Sequence, residues 1–365
     1  MYIHEQKGWP SLTWDQSSLA GALAEVRHLQ GRLLGRMEAL GFSLRAEATL
    51  QTLTSDVIKT SEIEGEKLDS EQVRSSIARR LGMDVGGMIP ASRDVEGIVE
   101  MMLDATGRYN APLSKERLFD WHAALFPTGR SGMQRIIVAN WRNAESGPME
   151  VVSGPMGREK VHYAAPGHER LEQEMEQFLK WFEAKDEMDL VMKAALAHFW
   201  FVSIHPFDDG NGRIARAIAD MMLARSEQSS QRFYSMSSQI QKERKAYYDV
   251  LESCQKGGLD ITPWFEWFLE CLKHAIEASG ELLESIMVKA RFWETHSGAS
   301  FNERQRLILN RLLDGFDGKL TSSKWAKIGK CSQDTALRDI NDLLERNILM
   351  RDDAGGRSTS YFLSS

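Results

Sequence analysis

The sequence predicts a mainly α protein in three parts: a helical N-terminal domain (1–112), a helical core with one β-hairpin (113–280), and a C-terminal helix-turn-helix with a two-stranded wing (295–365). Three observations carry this. Apolar residues recur at helical spacing through most of the first 280 positions. That pattern breaks between Arg135 and Tyr163, where short β-rich pieces flank the turn signal Gly154-Pro155-Met156-Gly157. Beyond Phe301, short helical segments give way to two strands.

In chain order, Ser18–Leu40 places Leu19, Ala22, Val26, Leu29, Leu33 and Met37 on one stripe, with Gly41 as its stop. Ala46–Ile63 reads as a second helix, and Asp69 or Ser70 can cap a third that runs to Arg80. Ile89–Tyr109 carries Val95, Ile98, Met101, Met102 and Ala105 inward, a stripe that suits a core. Ser114–Phe126 turns Leu118, Trp121, His122 and Leu125 inward, and His122 reads as a satisfied core histidine. Strands are expected at Arg135–Val138, Met149–Ser153 and Lys160–Tyr163, the last two forming a hairpin. Helices resume at Glu169–Ala184, Asp189–Ile204, Ile214–Ala224, Gln239–Gln255 and Pro263–Ser279.

The core is organised around His205-Pro206-Phe207-Asp208-Asp209-Gly210-Asn211-Gly212-Arg213-Ile214-Ala215-Arg216. Pro206 ends the helix before it, because a residue preceding proline is pushed out of the α region. Gly210, Asn211 and Gly212 allow a tight loop. The next helix then opens with free N–H groups and its positive dipole end, an anion site. Arg213 and Arg216, three apart, share a face and can grip phosphate oxygens. An imidazole, a carboxylate, an amide-lined loop and two guanidiniums suit a polyphosphate with a metal ion. No Gly-x-x-x-x-Gly-Lys-(Ser/Thr) stretch offers a P-loop alternative.

This stretch resembles the signature of the Fic family, His-Pro-Phe-x-(Asp/Glu)-Gly-Asn-Gly-Arg-x-x-Arg, without a departure at any fixed position. The resemblance implies a Fic-type helical core with a hairpin flap that lines up a target peptide. It implies AMPylation: AMP passes from ATP to a Ser, Thr or Tyr hydroxyl and pyrophosphate leaves. His205 would be the base, and Asp209 the protein ligand of Mg²⁺. Gly210, Asn211 and Gly212 would hold the α- and β-phosphates through backbone and side-chain donors, and Arg213 and Arg216 the distal ones. Tyr247 and Tyr248 would help form the adenine pocket. Thr60-Ser61-Glu62-Ile63-Glu64-Gly65 matches the family's inhibitory pattern (Ser/Thr)-x-x-x-Glu-(Gly/Asn). It implies that Glu64 forms a bidentate pair with Arg216, in competition with the γ-phosphate.

In the C-terminal part, Asn302 and Gln305 start a helix to Leu313, Ser323–Gly329 is a second, and Ser332 caps a third at Thr335–Arg346. Ile348–Arg351, a Gly355-Gly356 turn and Ser360–Leu363 make the wing. The set resembles a winged helix-turn-helix module, which elsewhere puts its third helix in a DNA groove. Here that helix carries Asp334, Arg338, Asp339, Asp342, Glu345 and Arg346, an acid-leaning face. Only Lys324, Lys327, Lys330, Arg351 and Arg357 favour DNA; dimerisation or target docking are the other roles.

A net charge of −7 argues against non-specific nucleic-acid or membrane binding by the whole chain. Cys254, Cys271 and Cys331 are odd in number and far apart, as in a reduced, cytoplasmic protein. Met1–Pro10 has no signal-peptide core, and the apolar run at Ala194–Ile204 is too short to span a bilayer. The expectation is a self-inhibited AMP transferase, capable of modifying itself and forming a homodimer. One rival reading has Glu64 also help water remove AMP. The other is a DNA-binding regulator whose core senses nucleotide.

Overall fold

The structure is a computed structural model; its described residues are all except 40–41, 84–87, 155–157, 159, 314, 317, 353–358 and 365, together with the side chains of 42, 43, 146, 281 and 282. The chain divides into two compact units, residues 1–83 with 89–279, and residues 84–88 with 280–365. The N-terminal helices and the core expected from 113 onward thus share the first unit.

That unit starts with α1 (Gln16–Glu38), α2 (Phe42–Ile63), α3 (Ser70–Arg80), α4 (Arg93–Gly107) and α5 (Lys115–Leu125). Four of these starts, those of α1, α3, α4 and α5, have a local cause. Asp15 accepts from Ser17 N–H and Ser18 N–H, Asp69 from Glu71 and Gln72, Ser92 from Val95 and Ser114 from Arg117. Ser92 sets the start of α4 at Arg93 rather than at Ile89. Hairpins β1 (Arg130–Ser131) with β2 (Gln134–Arg135), and β3 (Glu150–Ser153) with β4 (Lys160–Ala164), follow. The expected strand at Arg135–Val138 is corrected: only Arg135 pairs, and residues 136–138 run without regular structure. Positions 155–157 of the expected flap turn lie outside the described residues, as does Gly41.

Next come α6 (Leu171–Glu183), α7 (Leu190–Ile204), α8 (Asn211–Glu227), α9 (Met236–Lys242), α10 (Arg244–Gln255) and α11 (Thr262–Thr295), whose residues from 280 onward belong to the second unit. Two expectations change here. The helix expected at 239–255 breaks at Glu243, and the one expected to end at Ser279 continues to Thr295. Helix α7 is buried at every position from Val191 to Ile204, and α8 at nearly every position to Ala224. This buried pair is the centre of the unit. Trp264 of α11 closes on it, donating from Nε1 to the Ala195 carbonyl at 2.8 Å. A buried ion pair, Arg232 with Asp220 at 2.9 Å, ties the chain after α8 back to that helix.

The second unit has α12 (Glu303–Leu313), β5 (Leu320–Thr321), α13 (Ser322–Ile328), α14 (Gln333–Glu345), β6 (Leu349–Arg351) and β7 (Ser360–Leu363). Its sheet is three-stranded, ordered β5-β7-β6, one strand more than the expected wing. Asn302 and Gln305 cap α12 reciprocally at 3.0 and 2.9 Å. The core is Ile308, Leu309, Trp325, Ile340, Leu343 and Tyr361 with their neighbours. Asp339 was expected on the open face of α14; it is buried, with Arg304 at 2.8 and 3.1 Å. Residues 353–358, with Gly355-Gly356 and Arg357, lie outside the described residues.

Candidate functional site at the α7–α8 turn

His205 ends α7 in the left-handed conformation (φ 52°, ψ 60°), with its N–H on Phe201 O at 3.0 Å. A non-glycine residue there costs on the order of 1–2 kcal/mol, and Arg142 braces it. Arg142 Nε donates to His205 O at 2.8 Å and Nη2 to Pro166 O at 2.6 Å, while Arg142 N–H donates to Pro206 O at 2.9 Å. His205 Nδ1 lies 3.1 Å from Val202 O. That contact places a proton on Nδ1 and leaves Nε2 as the basic atom of a neutral ring. Burial pushes the imidazole below the usual histidine range, against the pull of the Val202 carbonyl.

The loop after His205 is pinned from within. Asn211 Oδ1 accepts from Phe207 N–H at 3.0 Å, and Nδ2 donates to Phe207 O at 2.8 Å. The Asn211 side chain, expected to donate to phosphate, therefore holds the loop. The backbone N–H groups of Asn211, Gly212 and Arg213 begin α8 and have no hydrogen-bond partner among the described residues, so they are open to an anion. Gly210 supports the turn at φ 82°. Asp209 is partly exposed; Oδ1 accepts from Gly210 N–H at 2.5 Å and Oδ2 from the Ser131 hydroxyl on the β1–β2 hairpin.

The two arginines are covered by the turn that follows α2. Arg216 is buried; Nη2 donates to Glu64 Oε1 at 2.7 Å and to Thr60 O at 2.9 Å, and Nε to Thr60 Oγ1 at 2.6 Å. Its Nη1 is buried without a partner among the described residues. The Glu64 contact is single rather than bidentate, because Thr60 takes the Nε edge of the fork. Burial opposes the charge on Arg216, but the Glu64 carboxylate outweighs it and the guanidinium is held above its usual range. A Cβ at position 212 would sit 2.2 Å from Glu64 Oε1, so only glycine admits this approach. Arg213, also buried, donates from Nη1 to Glu66 Oε2 at 2.8 Å and lies over the Phe126 ring at 5.0 Å.

Of the tyrosine pair on α10, Tyr247 is buried, with its hydroxyl 2.9 Å from His198 Nε2 and beside the Arg216 guanidinium. Tyr248 is 37% exposed and is the member able to present a ring to a ligand. Arg244, beside it, donates to Ile63 O at 3.0 Å and ties α10 to the end of α2.

Three contributors escaped the sequence reading, Glu66, Ser131 and Arg142, while His122 is the satisfied core histidine expected. His122 is buried, stacks on Phe207 at 4.2 Å, accepts at Nδ1 from Ala139 N–H at 3.2 Å, and meets Asp209 O through Nε2 at 3.2 Å. Burial pushes it down to about 4, so it is a neutral link between the loop and residue 139. Only Glu66 carried a signal in the sequence, as a second acid two positions after Glu64.

The profile of the Fic/DOC family matches residues 112–223, and that of a domain of unknown function, DUF4172, matches residues 2–83. A protein adenylyltransferase Fic of Culex quinquefasciatus is 28% identical over 254 residues, covering 67% of this chain and 45% of that protein. One of Aedes aegypti is 28% identical over 240 residues, covering 63% and 43%. The chain thus spans less than half the length of these two relatives. A Fic family protein of Desulfovibrio desulfuricans shares the fold at TM-score 0.55 and 21% identity, over 97% of this chain and 98% of that one. The twelve-residue turn at His205–Arg216 lies inside the matched Fic region, and the chain carries a domain of the Fic/DOC family.

Proposed function

We propose that this chain is a self-inhibited protein AMP transferase that moves AMP from ATP to a Ser, Thr or Tyr hydroxyl of a target protein. One observation carries the reading: Arg216, buried at the mouth of α8, keeps an unpaired Nη1 while Glu64 and Thr60 hold its other edge. A buried guanidinium with an idle donor beside a free helix N-terminus suits a phosphate, and Glu64 is a carboxylate in competition for it. The acceptor oxygen bonds to the α-phosphorus, the α–β phosphoanhydride bond breaks, and pyrophosphate leaves. The acceptor proton passes to His205 Nε2, because Nδ1 is committed to Val202. The N–H groups opening α8 oppose charge growing on the leaving group.

Asp209 suits Mg²⁺. It is a partly exposed hard-oxygen donor at the rim of the loop, and one carboxylate suffices where phosphates and water complete the shell. When bound, the ion would neutralise phosphate charge. Tyr248 would face the adenine, and the β3–β4 hairpin would align the target strand. No described helix is long and apolar enough to cross a membrane; the working place proposed is the cytoplasm, where the three free cysteines stay reduced. Incubation of a cell extract with adenine-labelled ATP and Mg²⁺ checks the reading: label should enter protein, and Glu64→Gly should raise it at least about tenfold. Label held by the protein only non-covalently would count against transfer.

Residues 295–365 have a second reading, DNA contact through α14. The helix trio with a three-stranded sheet favours it, while exposed Asp334, Asp342 and Glu345 on α14 oppose it. Retention of a labelled duplex that weakens with salt, and is lost on Lys324 and Arg338 substitution, would establish that role.

A further inference from the structure

Away from the His205 turn, three polar side chains of the flap and α10 stand in line. The Ser153 hydroxyl, at the end of β3, is 2.6 Å from His162 Nε2 on β4. His162 Nδ1 is 2.5 Å from Glu252 Oε2 on α10. A proton on Nδ1 satisfies the carboxylate and leaves Nε2 to accept from Ser153. The strand pairing explains the alignment. Val151 faces Tyr163 and Val152 faces Val161, so His162 is the extra residue of a bulge, the kind of irregularity that re-aims a side chain. Lys256 at 2.7 Å and His162 hold the Glu252 carboxyl down at about 2, so it stays an anion. A hydroxyl on an imidazole that a carboxylate orients has the connectivity of an activated nucleophile. Ser153 is also exposed, and the outer edge of β3 carries no strand among the described residues.

We propose that Ser153 is a modification site of this chain, the hydroxyl that receives the nucleotidyl group when a second copy of the chain is the donor. This rests on the transferase reading and names an acceptor for it. The Ser153 Oγ bonds to the α-phosphorus of ATP held by the donor copy. The α–β phosphoanhydride bond breaks, pyrophosphate leaves with the electron pair, and the serine proton passes to His205 Nε2 of the donor copy, His162 having oriented the hydroxyl for attack. The acceptor therefore brings its own positioning residue.

The test mixes a Glu64→Gly donor with an affinity-tagged His205→Ala acceptor, ATP and Mg²⁺, and maps the adduct by peptide mass spectrometry. AMP is expected on Ser153 of the acceptor, absent when the acceptor also carries Ser153→Ala, and formed about 10²-fold more slowly with His162→Gln. An adduct elsewhere on the acceptor, or a rate unmoved by His162→Gln, overturns the proposal. If neither copy gains an adduct, the transferase reading fails instead. A fluorophosphonate, which needs no nucleotide, then decides the nucleophile: its Ser153 Oγ–P bond forms as fluoride leaves. Labelling of Ser153 that depends on His162 supports the activated serine, and absence of labelling overturns it. Thermal melting of each variant separates loss of reactivity from loss of fold.

Discussion

At the scale of single residues, the site is a contest for two guanidiniums. Glu64 and Glu66 lie two apart in one turn and each takes one motif arginine, at 2.7 and 2.8 Å. Arg216 is the more sequestered contest, since Glu64 is less exposed than Glu66, at 30% against 47%. Glu64→Gly should therefore tighten ATP binding at least about tenfold, and Glu66→Gln only about two- to threefold, because a half-exposed pair is screened by water. Titration calorimetry with ATP and Mg²⁺ reads both, and equal effects would show that the Arg216 pair is not the dominant lock. His205 adds a dependence on pH. Its imidazole is held below the ordinary value of 6.5, so the neutral base persists as the solution is acidified. The acid limb of kcat/KM for Glu64→Gly should lie below pH 6.5, and a limb above that value would argue against His205 as the base.

Elements decide whether these residues meet. The motif was legible from the sequence because its parts are contiguous, and a helix–turn–helix places them by local geometry alone. Glu64 was legible through a family pattern, although the real contact is single and shared with Thr60. Arg142 and Ser131 were not legible: they reach the loop from 63 and 78 positions away, and no local periodicity records such contacts, whereas the inward face of α5 already marked His122 as a core histidine. Helix ends followed their caps, as at Asp15, Asp69, Ser114 and Ser332, whereas the break at Glu243 and the extension of α11 to Thr295 depend on packing. One packing contact makes a sharp test. A Cβ at Gly97 would lie 1.8 Å from the Ala124 carbonyl oxygen, so α4 and α5 touch backbone to backbone. Gly97→Ala should cost about 1–3 kcal/mol despite its better helix propensity. Chemical denaturation measures it, and a neutral or stabilising result would mean that the two helices are not in register as described.

Across the whole molecule, buried histidines link stability to pH. Burial pushes His122 down to about 4 and His198 to about 3, from an ordinary 6.5. Between about pH 4 and 6.5 the unfolded chain binds these protons and the folded chain does not, so stability falls as pH falls. Each histidine contributes up to about 1.4 kcal/mol per pH unit in that window. Urea midpoints should decline from pH 7 to pH 5, and His198→Gln should flatten the decline relative to wild type. The N-terminal helices and the core belong to one compact unit, so the loss should accompany release of Glu64 from Arg216. The most direct single measurement is intact-mass spectrometry after incubation with ATP and Mg²⁺, comparing wild type, Glu64→Gly, and Glu64→Gly with His205→Ala. An AMP-sized increment that is faint in wild type, strong in the single variant and absent in the double variant is the predicted result. An increment of equal size in wild type and Glu64→Gly, or one that survives His205→Ala, would contradict inhibition by Glu64 or base catalysis by His205 respectively.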